Sequence, residues 1–176
     1  MYGINDSIKL RGSERSFKSL VYTYQEKVIR FISLFVFDEQ ACEELASDVF
    51  LSLWMNRQKL ADVENLDNYL FIIAKNKALN HLRKGKADLV DLDEIDIDVF
   101  HHTHTTPESI FVNNETVLAL NDVISQLPPK TRLAFHLIRE QKMKYKDAAE
   151  ILGVSVKTIE KQVAAAVKKL QEKLLK

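Results

Sequence analysis

The stretch 145–170, YKDAAEILGVSVKTIEKQVAAAVKKL, decides how this chain reads. Its first part is a short amphipathic helix that ends at Leu152. Gly153 follows where a tight turn is needed, and glycine takes the positive φ of such turns without steric cost. Ser155 then stands at an N-cap, where a side-chain oxygen accepts one of the unpaired amides that open a helix. A short helix, a glycine turn and a longer helix make a helix-turn-helix, whose second helix enters the DNA major groove. DNA is therefore the first hypothesis for what the chain touches.

In the longer helix, Ile159, Val163, Val167 and Leu170 share one face and are expected to pack inward. Lys157, Lys161 and Lys168 fall on the opposite face, with Thr158, Gln162 and Ala165 flanking them. Such lysines pair with phosphates, and Lys161 or Gln162 is within reach of base edges. The plainer reading is an amphipathic helix with a solvated lysine face. Upstream, a helix is expected to start at Pro107, a residue suited to the first helical position. Its apolar stripe is Ile110, Val117, Leu120, Ile124 and Leu127. Pro128 and Pro129 break it, and a further helix is expected over 130–141. The second domain is thus a four-helix unit over 107–176.

The rest of the chain is helical by the same criterion. Four glycines, three prolines and long 3.6-residue periodicities predict an all-α protein. Over 14–36, Phe17, Leu20, Val21, Tyr24, Val28, Phe31 and Phe35 make one face. Residues 38–55 predict a second helix, capped by Asp38, with Leu45, Val49 and Leu53 on a stripe beside Phe50 and Trp54. Residues 59–67 read as a loop. A third helix is expected over 68–84, with Leu70, Ala74, Ala78 and Leu82 inward. The first domain is expected over 1–86.

Between the two lies 87–106, ADLVDLDEIDIDVFHHTHTT, with six acids and no lysine or arginine. It reads as an acidic, flexible linker. The net charge of zero hides this segregation. Residues 1–86 carry 13 basic and 11 acidic side chains, and 107–176 carry 12 and 8. Each domain is therefore basic, as nucleic-acid binding requires locally. His101, His102 and His104 sit in the linker without a nearby cysteine, so no metal is expected. The single cysteine, Cys42, has no internal disulfide partner, the opening residues are polar, and no apolar run is long enough for a membrane. A cytoplasmic protein is the simple reading. No nucleophile–base pair, glycine-rich phosphate loop or zinc-protease motif is present, so neither catalysis nor a cofactor is expected.

Two further helices have distinctive polar faces. On the third, Tyr69, Asn76, Asn80 and Arg83 project to one side, with Lys75, Lys77, Lys84 and Lys86 around them. Aromatics and amides among basic groups suit a single nucleic-acid strand, rings stacking on bases and lysines following phosphates. The alternative is a core Tyr69 and Phe71 with a solvated remainder. On the second helix, Asp38, Glu39, Glu43, Glu44 and Asp48 are acidic, and Phe50, Leu51 and Trp54 spread apolar bulk beyond one stripe. That pattern suits partner docking, or a Trp54 that merely closes the core.

Together these segments resemble the extracytoplasmic-function (ECF) sigma factors of bacterial RNA polymerase, within the sigma-70 family. ACEELASDVFLSLW (41–54) is similar to the polymerase-binding helix of sigma domain two. NLDNYLFIIAKNKALNHLRK (65–84) is similar to the part of that domain that opens and reads the minus-ten element. LPPKTRLAFHLI (127–138) and YKDAAEILGVSVKTIEKQV (145–163) are similar to sigma domain four, which reads the minus-thirty-five element. The resemblance implies that Asp48, Phe50, Leu51 and Trp54 grip core RNA polymerase. It implies that Tyr69, Lys75, Asn76, Asn80, Arg83 and Lys84 face minus-ten DNA, and that the 59–67 loop captures an extruded base. It implies that Ser155, Lys157, Thr158, Lys161, Gln162 and Lys168 face minus-thirty-five DNA. The linker would follow the polymerase's own basic channels, its acids standing in for nucleic acid. The resemblance further implies control by an anti-sigma factor, expected to be membrane-bound, and a minimal two-domain member. Apart from the resemblance, a monomer is expected when the protein is free of partners. The chain departs from the family in its recognition helix, where Ala164-Ala165-Ala166 stands and no arginine occurs. Arginine is the usual bidentate reader of guanine, so strong direct readout is not expected here, and shape and phosphate contacts gain weight.

Other functions fit less of the chain. An ordinary helix-turn-helix regulator accounts for 107–176 and leaves 65–84 unexplained. A sigma mimic that titrates an anti-sigma factor has no need of the basic residues in 75–86 or of the lysine face. A nucleic-acid-processing enzyme lacks a visible site.

Overall fold

The computed structural model describes residues 14–85 and 115–174, all of them in helices or the turns between. The chain divides into two compact units, separated between Leu89 and Val90. The acidic stretch 87–106, its histidines and residues 107–114 lie outside the described residues. Among the described residues there is no strand, no helix long and apolar enough to cross a membrane, and no cluster of metal-binding side chains.

The first unit packs three helices, α1 (Glu14–Ile32), α2 (Glu39–Met55) and α3 (Leu66–Gly85), each against the other two. Along α1 the apolar spacing buries Leu20, Tyr24, Val28, Phe31 and Ile32. The helix stops four residues short of the expected 36, where the Leu34 and Phe35 amides tighten onto the carbonyls of Phe31 and Ile32 at 3.2 and 2.8 Å. Phe35 and Val36 then enter the core from a turn. Phe31 meets Phe35 and Phe71 edge-on, with centroids 5.3 and 5.0 Å apart. Such pairs add about 0.5–1.5 kcal/mol beyond their burial.

Asp38 opens α2 as expected, its carboxylate accepting the Ala41 amide at 2.6 Å. The inward stripe differs from the sequence expectation. Cys42, Ala46, Val49 and Leu53 are buried, whereas Leu45 is only half-buried. Small side chains occupy the seam where helices approach closely, so the largest residue on a stripe is not always its centre. The Cys42 thiol donates to the Val36 carbonyl at 3.2 Å. Burial and the carboxylates of Asp38, Glu39 and Glu43 push its pKa from about 9 to about 11.

The 59–67 loop contains one turn of 3-10 helix, Lys59–Asp62, which buries Leu60. Helix α3 then begins two residues earlier than expected, because the Asn65 side chain caps it by accepting the Asn68 amide at 3.1 Å. Leu66, Leu70, Phe71, Ala74, Ala78 and Leu79 are buried, and Leu82 is half-buried at the rim. Asp67 bonds to the Tyr24 phenol, and burial with this carboxylate pushes the phenol's pKa up.

The second unit is built around its last helix. Helices α4 (Glu115–Ser125), α5 (Pro129–Phe135) and α6 (Tyr145–Leu152) all pack on α7 (Val156–Leu174). Pro129 starts α5, as its fixed φ allows. Two cations close the end of α4. Arg132 donates to the carbonyls of Ser125 and Leu127 at 2.8 and 3.2 Å, and Lys169 of α7 donates to that of Gln126 at 3.1 Å. Cations at a helix C-terminus satisfy carbonyls that lack an intrahelical partner. The expected helix over 130–141 is present but changes pitch. From His136 to Glu140 it widens into a π-helical turn, closed by the Gln141 amide on the His136 carbonyl at 3.0 Å. The Met143 amide bonds the Leu137 carbonyl, and Lys142 takes φ of 54°.

Candidate nucleic-acid and partner interfaces

The helix-turn-helix is assembled by backbone chemistry at two residues. Gly153 has φ of 70° and ψ of 35°, the left-handed conformation glycine adopts readily. Its amide bonds the Glu150 carbonyl, and the Val154 amide bonds that of Ala149 at 3.0 Å. This pair of bonds is a Schellman motif, which ends α6 and redirects the chain. Ser155 then caps α7, its hydroxyl accepting the Thr158 amide at 3.1 Å.

On α7 the buried positions are Ile159, Val163, Ala166 and Leu170. Val167, expected inward, is half-buried, and Ala166 takes its place in the seam. An alanine there lets the neighbouring helices come close to α7. Lys157, Lys161 and Lys168 are exposed as expected, with Ala164 and Ala165 exposed beside them. The other three residues assigned to minus-thirty-five DNA are engaged or turned aside. The Ser155 and Thr158 hydroxyls lie 2.8 Å apart and bond each other. Gln162 is half-buried, and its Oε1 is buried without a hydrogen-bond partner. Lys168 reaches Glu172 at 3.9 Å across an exposed turn.

On α3, Asn76, Asn80, Arg83 and Lys84 are exposed along one side. Arg83 reaches the Asn80 side-chain oxygen at 3.5 Å, a contact at the limit of a hydrogen bond. Tyr69 and Lys75 are half-buried. Desolvation lowers the Lys75 pKa. Phe71 is core, so of the two aromatics on this helix only Tyr69 presents part of its ring to solvent. Lys77 lies 3.8 Å from Asp48 of α2. Both line a polar groove of about 1020 Å³ between α2 and α3, with Glu43 and Glu44 on one wall and Arg83 and Lys84 on the other.

The structure separates the four residues expected to grip a polymerase. Asp48 faces this α2–α3 groove. Phe50, Leu51 and Trp54 instead line an apolar groove of about 740 Å³ between α1 and α2, together with Phe17, Val21 and Tyr22. Phe50 is itself 6% exposed, so it forms the groove floor, while Leu51 is 55% exposed. Trp54 is wedged between Phe17, at 4.9 Å between centroids, and the Arg57 guanidinium, 4.4 Å from its ring. A tilted ring contact and a cation over the ring together hold the indole in place. Sequence reasoning missed Tyr22 and Met55, which are 90% and 72% exposed. Tyr22 lies off the buried stripe of α1, and an aromatic in that position was the available signal. It also missed His136, buried in the π-helical turn with Nδ1 2.8 Å from Glu140 and Nε2 3.1 Å from the Gln141 side-chain nitrogen Nε2.

Comparisons with known proteins divide at the same two units. Residues 20–87 match the family model for sigma-70 region 2, and residues 118–170 match that for sigma-70, region 4. The RNA polymerase sigma-H factor of Pseudomonas aeruginosa is 28% identical over 163 residues, covering 89% of this chain and 84% of the relative. The ECF RNA polymerase sigma-E factor of Haemophilus influenzae is 25% identical over 171 residues, covering 93% and 90%. Among solved structures, the sigma factor RpoE of Bartonella quintana, determined in complex with the anti-sigma factor NepR, is 21% identical with a TM-score of 0.67. That match covers 91% of this chain and 97% of RpoE. Two matched regions in order, and relatives aligned over nearly their whole length, place the chain in the sigma-70 family as an ECF sigma factor.

Proposed function

We propose that this sigma factor binds core RNA polymerase through its first unit, reads promoter DNA with both units, and helps open the minus-ten element. The observation that carries this reading is the pairing of two different surfaces on one small unit. An apolar groove with an exposed Leu51 and a fixed Trp54 lies on the α1–α2 side. An exposed face of Asn76, Asn80, Arg83 and Lys84 lies on α3. The first suits a protein partner, with Asp48 contributing from the neighbouring groove. The second suits a non-template strand, with Tyr69 stacking and Lys75 following the backbone. The second unit supplies a helix-turn-helix with an exposed lysine face for the minus-thirty-five element.

The domains extend over 1–86 and 107–176, with 87–106 as the linker between them. No reaction is assigned to the protein itself, and catalysis belongs to the polymerase. An anti-sigma factor, held at a membrane, covers the same surfaces and keeps a cytoplasmic, otherwise monomeric sigma factor inactive. Support for this partner comes from the likeness to RpoE, solved with an anti-sigma factor, and to CnrH, solved with the cytosolic domain of CnrY. A native-gel or size-exclusion assay with purified core polymerase tests the proposal. A stoichiometric complex is expected, and a protein that never co-migrates with core polymerase would rule it out.

A further inference from the structure

Four of the six candidate contacts at α7 are engaged locally or lie away from the start of the helix. Ser155 and Thr158 spend their hydroxyls on each other and on the helix cap. The Gln162 side chain carries its oxygen into a buried position. Lys168 lies toward the far end of the helix, beside Glu172. Two exposed cations remain in the first half of the helix, Lys157 and Lys161. Lys157 stands in the first turn, where helix N-termini meet phosphates. Lys161 stands one turn further in, and the exposed Ala164 and Ala165 follow three and four residues later on the same face. Their side chains end at the β-carbon, so this part of α7 is slim and leaves room for close approach to a groove floor.

We infer that Lys161 is the specificity-determining residue of α7 and reads a single guanine in the major groove of the upstream promoter element. The inference rests on the proposal that α7 binds that element. A lysine ammonium has three donors and no acceptor. Guanine offers two adjacent acceptors in the major groove, N7 and O6, whereas adenine and cytosine each present an amino donor that repels a cation, and thymine offers a single acceptor, O4, beside its methyl group. Lys161 therefore selects guanine. The other positions of the element are held through phosphates, Lys157 among the contacts, and are discriminated only by DNA shape.

The test uses holoenzyme, core polymerase with this chain, on promoter duplexes whose upstream element is randomised. Wild-type holoenzyme is expected to prefer guanine at one position by about tenfold, within the range of a good base contact. Replacing that guanine with 7-deazaguanine, which lacks the N7 acceptor, should remove most of the preference. Lys161→Ala should lose the preference at that position alone, and Lys161→Arg should keep it. Lys157→Ala should weaken all sequences alike. Even weakening by Lys161→Ala, with the guanine preference intact, would make Lys161 a phosphate contact and overturn the assignment alone. A wild-type holoenzyme indifferent to the whole upstream element would instead overturn the underlying reading of α7.

Discussion

Gly153 and Ser155 show how much a single residue controls in this fold. Gly153 sits at φ of 70° with nothing within 4 Å of where a β-carbon would lie. Gly153→Ala therefore meets no clash, and its cost is the left-handed backbone alone, about 1–2 kcal/mol. A lower denaturation midpoint for the second unit is expected, and an unchanged one would contradict the turn. Cys42 controls the first unit through pH. Its thiol pKa lies near 9 when the chain is unfolded and near 11 when folded. The folded state favours the protonated form, so this contribution to stability is whole below pH 9. It is lost progressively as pH rises through 11. Tyr24, also pushed up by burial and Asp67, acts in the same direction at higher pH. Denaturant unfolding between pH 8.5 and 11 should show the loss in stability, and Cys42→Ala should flatten its lower part.

At the scale of elements, the helices and the caps at Asp38 and Ser155 are legible in the sequence, whereas the Asn65 cap and the finer choices within each seam are not. The 3.6-residue spacing of α1 marks Leu20, Tyr24, Val28 and Phe31, which α1 buries, but it also selects Phe17 and Val21, which are half-buried at a groove, and it passes over the buried Ile32. On α2 and α7 the same logic selects Leu45 and Val167, whereas the core takes Cys42, Ala46 and Ala166. Close helix approach favours small side chains, and hydrophobicity alone does not record which helix comes close. The π-helical turn over His136–Glu140 is hidden for a related reason, since its bonds depend on where Gln141 and Met143 are drawn by the chain beyond. Of the candidate site, the lysine face and the amide-bearing face of α3 are legible. The splitting of Asp48 from Phe50, Leu51 and Trp54 is not, because two grooves on opposite flanks of α2 share one helical sequence. That splitting yields a prediction. Trp54 packs against Phe17 and the Arg57 guanidinium, so Trp54→Ala removes an aromatic wall of the groove. It should weaken core polymerase binding by about tenfold or more, the scale of an aromatic interface anchor. Its binding isotherm should shift while that of Lys161→Ala stays with wild type. Equal losses in both variants would contradict a division of labour between the two units.

For the whole molecule, a net charge of zero conceals two basic units and an acidic stretch between them. The function follows from that arrangement of parts along the chain, since neither unit alone explains both a partner groove and two nucleic-acid faces. A helix-turn-helix by itself binds DNA, and joined to the first unit it delivers a polymerase to a promoter. The most direct measurement is therefore run-off transcription, with purified core polymerase and a panel of promoter fragments from the host genome. The account predicts a transcript of defined start site from a subset of fragments only when this chain is added. Nonspecific initiation alone, or no initiation despite binding to core polymerase, would contradict it.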